Sequence, residues 1–164
     1  MDDNLTLTVQ SESWLTDHVY RFSQLATADT ESGEVLILPE AMSGRLTLLR
    51  TDQSGAVSPP VEIRDNAGDP VALSVFAALP AEWSPGLLIG APASGPGLSL
   101  YRLEDGADWA TLLDRAEETA KTTLEGVSDI VALSVGSEQF IAVSSAAEDG
   151  LSSYAIGDGD MLNL

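Results

Sequence analysis

The sequence predicts an all-β repeat protein of three tandem units, each a four-stranded antiparallel meander. Three observations carry this reading. Segments 35–55, 87–106 and 140–159 superimpose with shifts of 52 and then 53 residues. Turns written SG, GPG, EDG and GDG separate apolar runs of strand length, and supply residues that tolerate the positive φ of tight hairpins. One such run, GLSLYRL, alternates as a half-buried strand does, with Leu98, Leu100 and Leu103 against Ser99, Tyr101 and Arg102.

The repeat is spread over two strands and the turn between them. Leu36, Leu88 and Ile141 coincide, as do Leu46, Leu98 and Leu151. Thr47, Ser99 and Ser152 follow, then Leu49, Tyr101 and Tyr154, with Gly97 and Gly150 directly before the second apolar strand. Upstream, the pentapeptide VALSV occurs at 71–75 and 131–135, and reads as the first strand of the second and third units. Its separation of 60 residues is explained by a longer connector, FAALPAEWSPG against GSEQ. The first unit's equivalent strand is read as HVYRFSQLA, 18–26. The units therefore run over 18–68, 70–125 and 127–164 of a single domain.

One segment argues against uniform strand. WATLLDRAEETAKTTLEG, 109–126, has the spacing of an amphipathic helix ended by Gly126. The equivalent stretch of the first unit, AVSPPVEIRDNAG, contains two prolines and cannot be helical. Repeat position decides for a fourth strand over 109–115 and a loop or single helical turn over 116–125.

Four antiparallel strands in about 50 residues, repeated in tandem, describe a β-propeller blade. Three blades are fewer than the four to eight that close a ring. The chain is thus expected to be a partial ring, continued by further blades of a longer protein, or half of an oligomeric ring completed by another copy. The third unit is expected to stop at GDGDMLNL, where its fourth strand would begin. An orphan alternating segment NLTLTVQS, 4–11, is read as the closing strand for that edge.

Charge excludes several functions. Seven Lys+Arg against 26 Asp+Glu leave −19, so the surface repels phosphate, and neither nucleic acid nor anionic membrane is an expected partner. Without cysteine there are no disulfides, thiolate metal sites or cysteine nucleophiles. The single histidine, His18, has no G-x-S-x-G or H-E-x-x-H pattern around it and is read as structural or exposed.

The units FIAVSSAAEDGLSSYAIGDGDML and LLIGAPASGPGLSLYRLEDG resemble the repeats of alphaproteobacterial β-propeller proteins found upstream of hemolysin-type calcium-binding tails. More distantly they are similar to the seven-bladed six-phosphogluconolactonase family. The resemblance covers nearly the whole chain but rests on blade-forming residues. It implies export without a cleaved signal peptide, the alternative being a cytoplasmic location. No lactonase catalytic residue is carried over, and the calcium nonapeptide G-G-x-G-x-D-x-U-x is absent.

Candidate contact residues are Trp83 in the long connector ALPAEWSPG, Tyr101 and Trp109. Aromatic side chains at connections stack on sugars or anchor protein partners, against the alternative that they pack over a neighbouring blade. Carboxylates gather in turns such as RDNAGDP and GDGD. Asp158 and Asp160 are the best candidates for a Ca²⁺ site, although the spacing falls short of an EF-hand loop and Asp is an ordinary hairpin residue. The expected function is a non-catalytic binding or scaffolding module with a protein or carbohydrate partner. The alternative is a lactonase-like hydrolase on the same scaffold.

Overall fold

The structure is a computed structural model that describes residues 24–51, 56–104, 109–157 and 159–164. β1 (Ala26–Thr30), β2 (Gly33–Pro39), β3 (Leu46–Arg50) and β4 (Val61–Glu62) form a first antiparallel sheet in chain order. β5 (Arg64–Asp65) leaves it and joins a second sheet. That sheet contains β6 (Leu73–Ala78), β7 (Leu87–Pro92), β8 (Leu98–Leu103) and β9 (Trp109–Ala116), in the order β5-β9-β8-β7-β6. The third sheet is again a meander: β10 (Val127–Val135), β11 (Glu138–Ser145), β12 (Gly150–Gly157) and β13 (Met161–Asn163). The described residues contain no α-helix.

Three sheets need three sets of buried faces, and the repeat supplies them in alternation. On β2 and β3, Val35, Ile37, Leu46 and Leu48 point forward and meet Leu73, Leu88, Tyr101 and Leu103 on the rear of the second sheet. One repeat on, Leu87, Ile89, Leu98 and Leu100 point forward and meet Ile130, Ile141, Val143 and Tyr154 of the third sheet. The middle sheet is therefore covered on both faces. That is why β7 reads as the continuous run LLIGA rather than alternating with polar residues. Each such leucine contributes roughly 1.5–3 kcal/mol on leaving water. On the rear of the first sheet, Leu38 and Leu49 form a smaller cluster with Leu25 and Leu36.

The sheets are staggered around a common side. The first strands β1, β6 and β10 neighbour one another in sequence order, and the outer strands β9 and β13 also touch. Close approach is enforced at Gly44, whose φ is 69° and whose missing Cβ would lie 2.8 Å from the Leu73 carbonyl oxygen. That carbonyl's own amide donates to the Gly44 oxygen at 2.9 Å, tying the β2–β3 loop to the next sheet.

Several expectations are corrected in detail. The first strand of the first sheet is Ala26–Thr30, paired to β2 through Thr30 and Gly33, rather than 18–26. Residues 18–23 and the segment 4–11 lie outside the described residues. The position expected for a closing strand beside β12 is occupied by β13, which pairs from Ala155 with Asn163 to Gly157 with Met161. The second sheet has a fifth strand, because Arg64 and Asp65 run parallel to Trp109 and Ala110. Leu103 faces rearward with Tyr101 instead of sharing a face with Leu100.

The VALSV match is also displaced. Val75 pairs with Ala91, whereas the residue that pairs with the equivalent Ser144 is Asp129, not Val135. The shared pentapeptide therefore opens β6 but ends β10. The helix-like segment resolves as the repeat required, a strand over 109–116 followed by turns to Gly126.

Candidate functional site

The most accessible aromatic side chain near a cleft is Trp109, 52% exposed. It opens β9, and its backbone is held by the parallel pairing to Arg64. Opposite it, the chain turns sharply at Asp65–Asp69. Asp65 Oδ1 accepts from the amides of Ala67 at 2.9 Å and Asp69 at 3.0 Å, while the Gly68 amide donates to the Asp65 carbonyl at 2.9 Å. This is an Asx-type turn, in which the carboxylate replaces a backbone acceptor. Gly68, at φ 88°, takes the left-handed position such a turn requires.

Between turn and indole lies an open cleft of about 530 Å³, lined by Arg64, Asp65, Asn66, Ala67, Gly68 and Trp109. Arg64 is braced across it, donating to the Gly68 carbonyl at 2.9 Å and pairing with Glu62, which also receives Arg45 at 3.1 Å. These charges are half-exposed, so each pair adds about 1 kcal/mol or less and serves to position groups. The result is a flat aromatic face beside a braced guanidinium and an amide side chain.

A second cleft of about 340 Å³ separates the β1–β2 turn from the second sheet, lined by Thr30, Glu31, Ser84, Pro85, Arg102, Leu103 and Glu104. Its polar groups are largely committed to each other. Arg102 pairs with Asp160 of the β12–β13 turn and reaches Ser84 at 3.4 Å, and Glu104 accepts from the Thr111 hydroxyl.

The candidate residues thus separate. Trp109 borders the first cleft. Trp83 is half-buried against the core between the second and third sheets, and its indole N–H donates to the Ser134 hydroxyl at 3.3 Å. Tyr101, expected at a contact surface, is 6% exposed and packs between the first and second sheets, because its position on β8 faces rearward. Asp160 has a positive φ of 56° and spends its carboxylate on Arg102. Asp158 lies outside the described residues. Among the described residues no group of three or more His, Asp or Glu side chains is arranged to hold a metal ion.

Arg64 and Asn66 were not singled out from the sequence. The signal was the D-N-A-G-D turn placed after a two-residue strand, but its partner Trp109 is 45 residues away, and no local pattern announces the parallel pairing that joins them.

No family model and no curated protein matches this chain. Among solved structures, the crystal structure of the major Malassezia sympodialis allergen Mala s 1, a β-propeller, is similar, with a TM-score of 0.51 and 18% identity over 85% of this chain. The match covers 40% of that protein, so the chain spans well under half its length. At this identity the likeness concerns the fold alone: the chain is all-β and propeller-like.

Proposed function

We propose that this chain is a non-catalytic binding or scaffolding module, an arc of three propeller blades whose ligand contact is the Trp109 cleft. The exposed indole carries the reading. Burying an aromatic face costs nothing in unsatisfied polar groups, and the neighbouring Arg64 and Asn66 offer donors at its edge, the combination that suits a sugar ring or a flat peptide segment. Around the Trp109 cleft and elsewhere, four carboxylates are held in structural roles: Asp65 in its turn, Glu62 on two arginines, Asp160 on Arg102, and Asp114 accepting from the Leu162 amide at 2.8 Å. The blade arrangement is supported by the neighbouring first strands β1, β6 and β10, which line one side as inner strands do.

Titration with maltohexaose and cellohexaose, followed by tryptophan fluorescence and by amide chemical shifts, tests the site. Binding in the range of about 0.1–1 mM is expected for so open a cleft, and Trp109→Ala should abolish it. An unchanged response in Trp109→Ala would remove the site from the argument. Proton release from a panel of aldonolactones above the buffer rate would overturn the non-catalytic reading.

A further inference from the structure

The peptide bond between Asp69 and Pro70 lies between the Asp65 turn and the start of β6. Of the eight prolines in the chain, Pro70 alone follows an aspartate. Its nitrogen carries no hydrogen and belongs to a tertiary amide, so it is more basic than an ordinary peptide nitrogen and leaves more readily once protonated. Asp69 also brings its own nucleophile. Its side-chain carboxylate reaches the main-chain carbonyl carbon of the same residue through a five-membered ring, and a nucleophile tethered in this way gains strongly over free water. The residue is exposed, and none of the hydrogen bonds and ion pairs among the described residues occupies its carboxylate.

The main chain is held on both sides of the bond. The Asp65 amide donates to the Asp69 carbonyl oxygen at 2.8 Å, and Asp65 Oδ1 accepts from the Asp69 amide at 3.0 Å. Beyond the bond, the Val71 amide donates to the Ile63 carbonyl at 2.9 Å, and the Val71 carbonyl accepts from the Leu46 amide at 2.8 Å. The first of these contacts bears on chemistry. A backbone N–H on a carbonyl oxygen draws electron density from the carbon under attack and stabilises the negative charge that develops on the oxygen.

We propose that the chain cleaves itself at Asp69–Pro70. A carboxylate oxygen of Asp69 bonds to its own carbonyl carbon, and the carbonyl electron pair moves onto the oxygen that the Asp65 amide contacts. When that pair returns, the C–N bond breaks and the Pro70 nitrogen takes a proton from solvent as it leaves. The product is a cyclic anhydride on Asp69. Water opens the anhydride, so one water is consumed overall, Asp69 ends with two carboxylates and Pro70 with a secondary ammonium. The event occurs once per chain and stands apart from the binding role of the Trp109 cleft.

The cut leaves the two parts joined. Val35, Ile37, Leu46 and Leu48 before the bond pack against Leu73, Leu88, Tyr101 and Leu103 after it, and the Val71 hydrogen bonds cross the same boundary. Cleavage therefore yields a nicked protein, with a new chain end beside Gly68 in the wall of the Trp109 cleft.

Incubation of the full chain for days at about pH 5 and about pH 7, folded and in about 8 M urea, followed by intact-mass spectrometry, tests this. The expected result is fragments 1–69 and 70–164 accumulating from the folded chain, faster at the lower pH because the leaving nitrogen needs a proton. The folded chain should cleave at least about tenfold faster than the chain in urea, where the Asp65 contact is lost. Asp69→Ala should stay intact. Asp65→Ala, with its fold checked by circular dichroism, should slow cleavage toward the urea rate, whereas Asp65→Asn, whose side-chain oxygen accepts from the same amides, should preserve it. An intact chain under every condition, cutting of Asp69→Ala at the same bond, or a wild-type rate in Asp65→Ala would each overturn the proposal. Equal rates in the folded chain and in urea would overturn it too, by reducing the bond to the ordinary lability of an aspartyl-prolyl pair.

Discussion

Ser74 and Ser128 occupy the same place in consecutive sheets. Each is the residue skipped where the first strand shifts register, between Leu73 and Val75 in β6 and between Val127 and Asp129 in β10. Each hydroxyl also reaches a carbonyl of the second strand at equivalent positions. Ser74 donates to Ala91 at 3.4 Å or Pro92 at 3.3 Å, and Ser128 reaches the Ser144 carbonyl at 3.3 Å. A β-bulge bends and twists its strand. Its recurrence means that the bend of the inner strand is part of the repeat.

Removing that hydroxyl should therefore be felt. Ser74→Ala, at a partly buried site, is expected to cost about 1 kcal/mol, and Ser128→Ala, exposed, about half of that. Urea unfolding of the two variants reads the difference. Deleting Ser74 outright is the stronger test. The deletion would leave Leu73 opposite Pro92 and Val75 opposite Ala91, on their present faces, but would straighten β6, and a urea midpoint unchanged in such a chain would argue against the bulge as a structural device.

Leu98 and Leu151 show how one repeat position can carry opposite weight. Leu98 is 1% exposed between the second and third sheets, whereas Leu151, its equivalent, is 73% exposed. Leu98→Ala should cost about 2–5 kcal/mol, and Leu151→Ala less than about 0.5 kcal/mol. Equal losses in dilute urea melts would show that the forward face of the third sheet is covered within the single chain.

Most of the fold can be read from the repeat, and the errors have a common cause. Spacing between Leu36, Leu88 and Ile141 locates the second strands, and the shared turn glycines locate the third. Both are local features carrying a period-two pattern. The VALSV pentapeptide misleads because identical residues suit the first strand of any unit, while register is fixed by the partners each strand meets, Val75 opposite Ala91 and Asp129 opposite Ser144, which the pentapeptide does not encode. The fifth strand of the second sheet escapes for a related reason. Two residues, Arg64 and Asp65, have no periodicity to detect, and their partner is distant in sequence. For the candidate site, Trp109 is recognisable as an aromatic at a connection, but exposure is not a sequence property. Trp83 stands at a connection too, and Tyr101 at an outward position of an alternating strand, yet both pack inward, because loop direction and strand parity decide which way each ring points.

Gly90 is required by packing rather than by backbone conformation. A Cβ there would lie 2.5 Å from Leu73 Cδ1, 2.8 Å from the Val75 carbonyl oxygen and 3.0 Å from Phe76 Cβ. The flexible leucine could move, but the Val75 carbonyl belongs to the paired strand β6 and cannot shift without opening the sheet. Gly90→Ala is therefore expected to destabilise by about 1–3 kcal/mol, despite alanine's better fit to an extended backbone. Leu73→Ala in the same chain should not restore stability, because the carbonyl contact remains. Recovery in the double variant would locate the strain in the side chain alone.

Tyr154 gives the fold a sensitivity to alkali. Its side chain lies between the second and third sheets, 3% exposed, and its hydroxyl is buried without a hydrogen-bond partner of good geometry among the described residues. Burial raises the phenol's pKa above the usual tyrosine value, with the Thr122 hydroxyl opposing the shift only in part. A raised folded-state pKa means the folded chain holds its proton where the unfolded chain has lost it. The stabilising contribution is thus complete below the unfolded value of about 10 and declines as pH rises through the folded one. Tyr154→Phe removes both the titration and a buried hydroxyl held only by a poorly aligned contact with Thr122. The variant should match or slightly exceed the wild type at neutral pH, and should lose less stability between about pH 9 and about pH 11. Parallel decline of the two proteins in urea melts across that range would assign the alkaline transition to general repulsion among the chain's carboxylates instead.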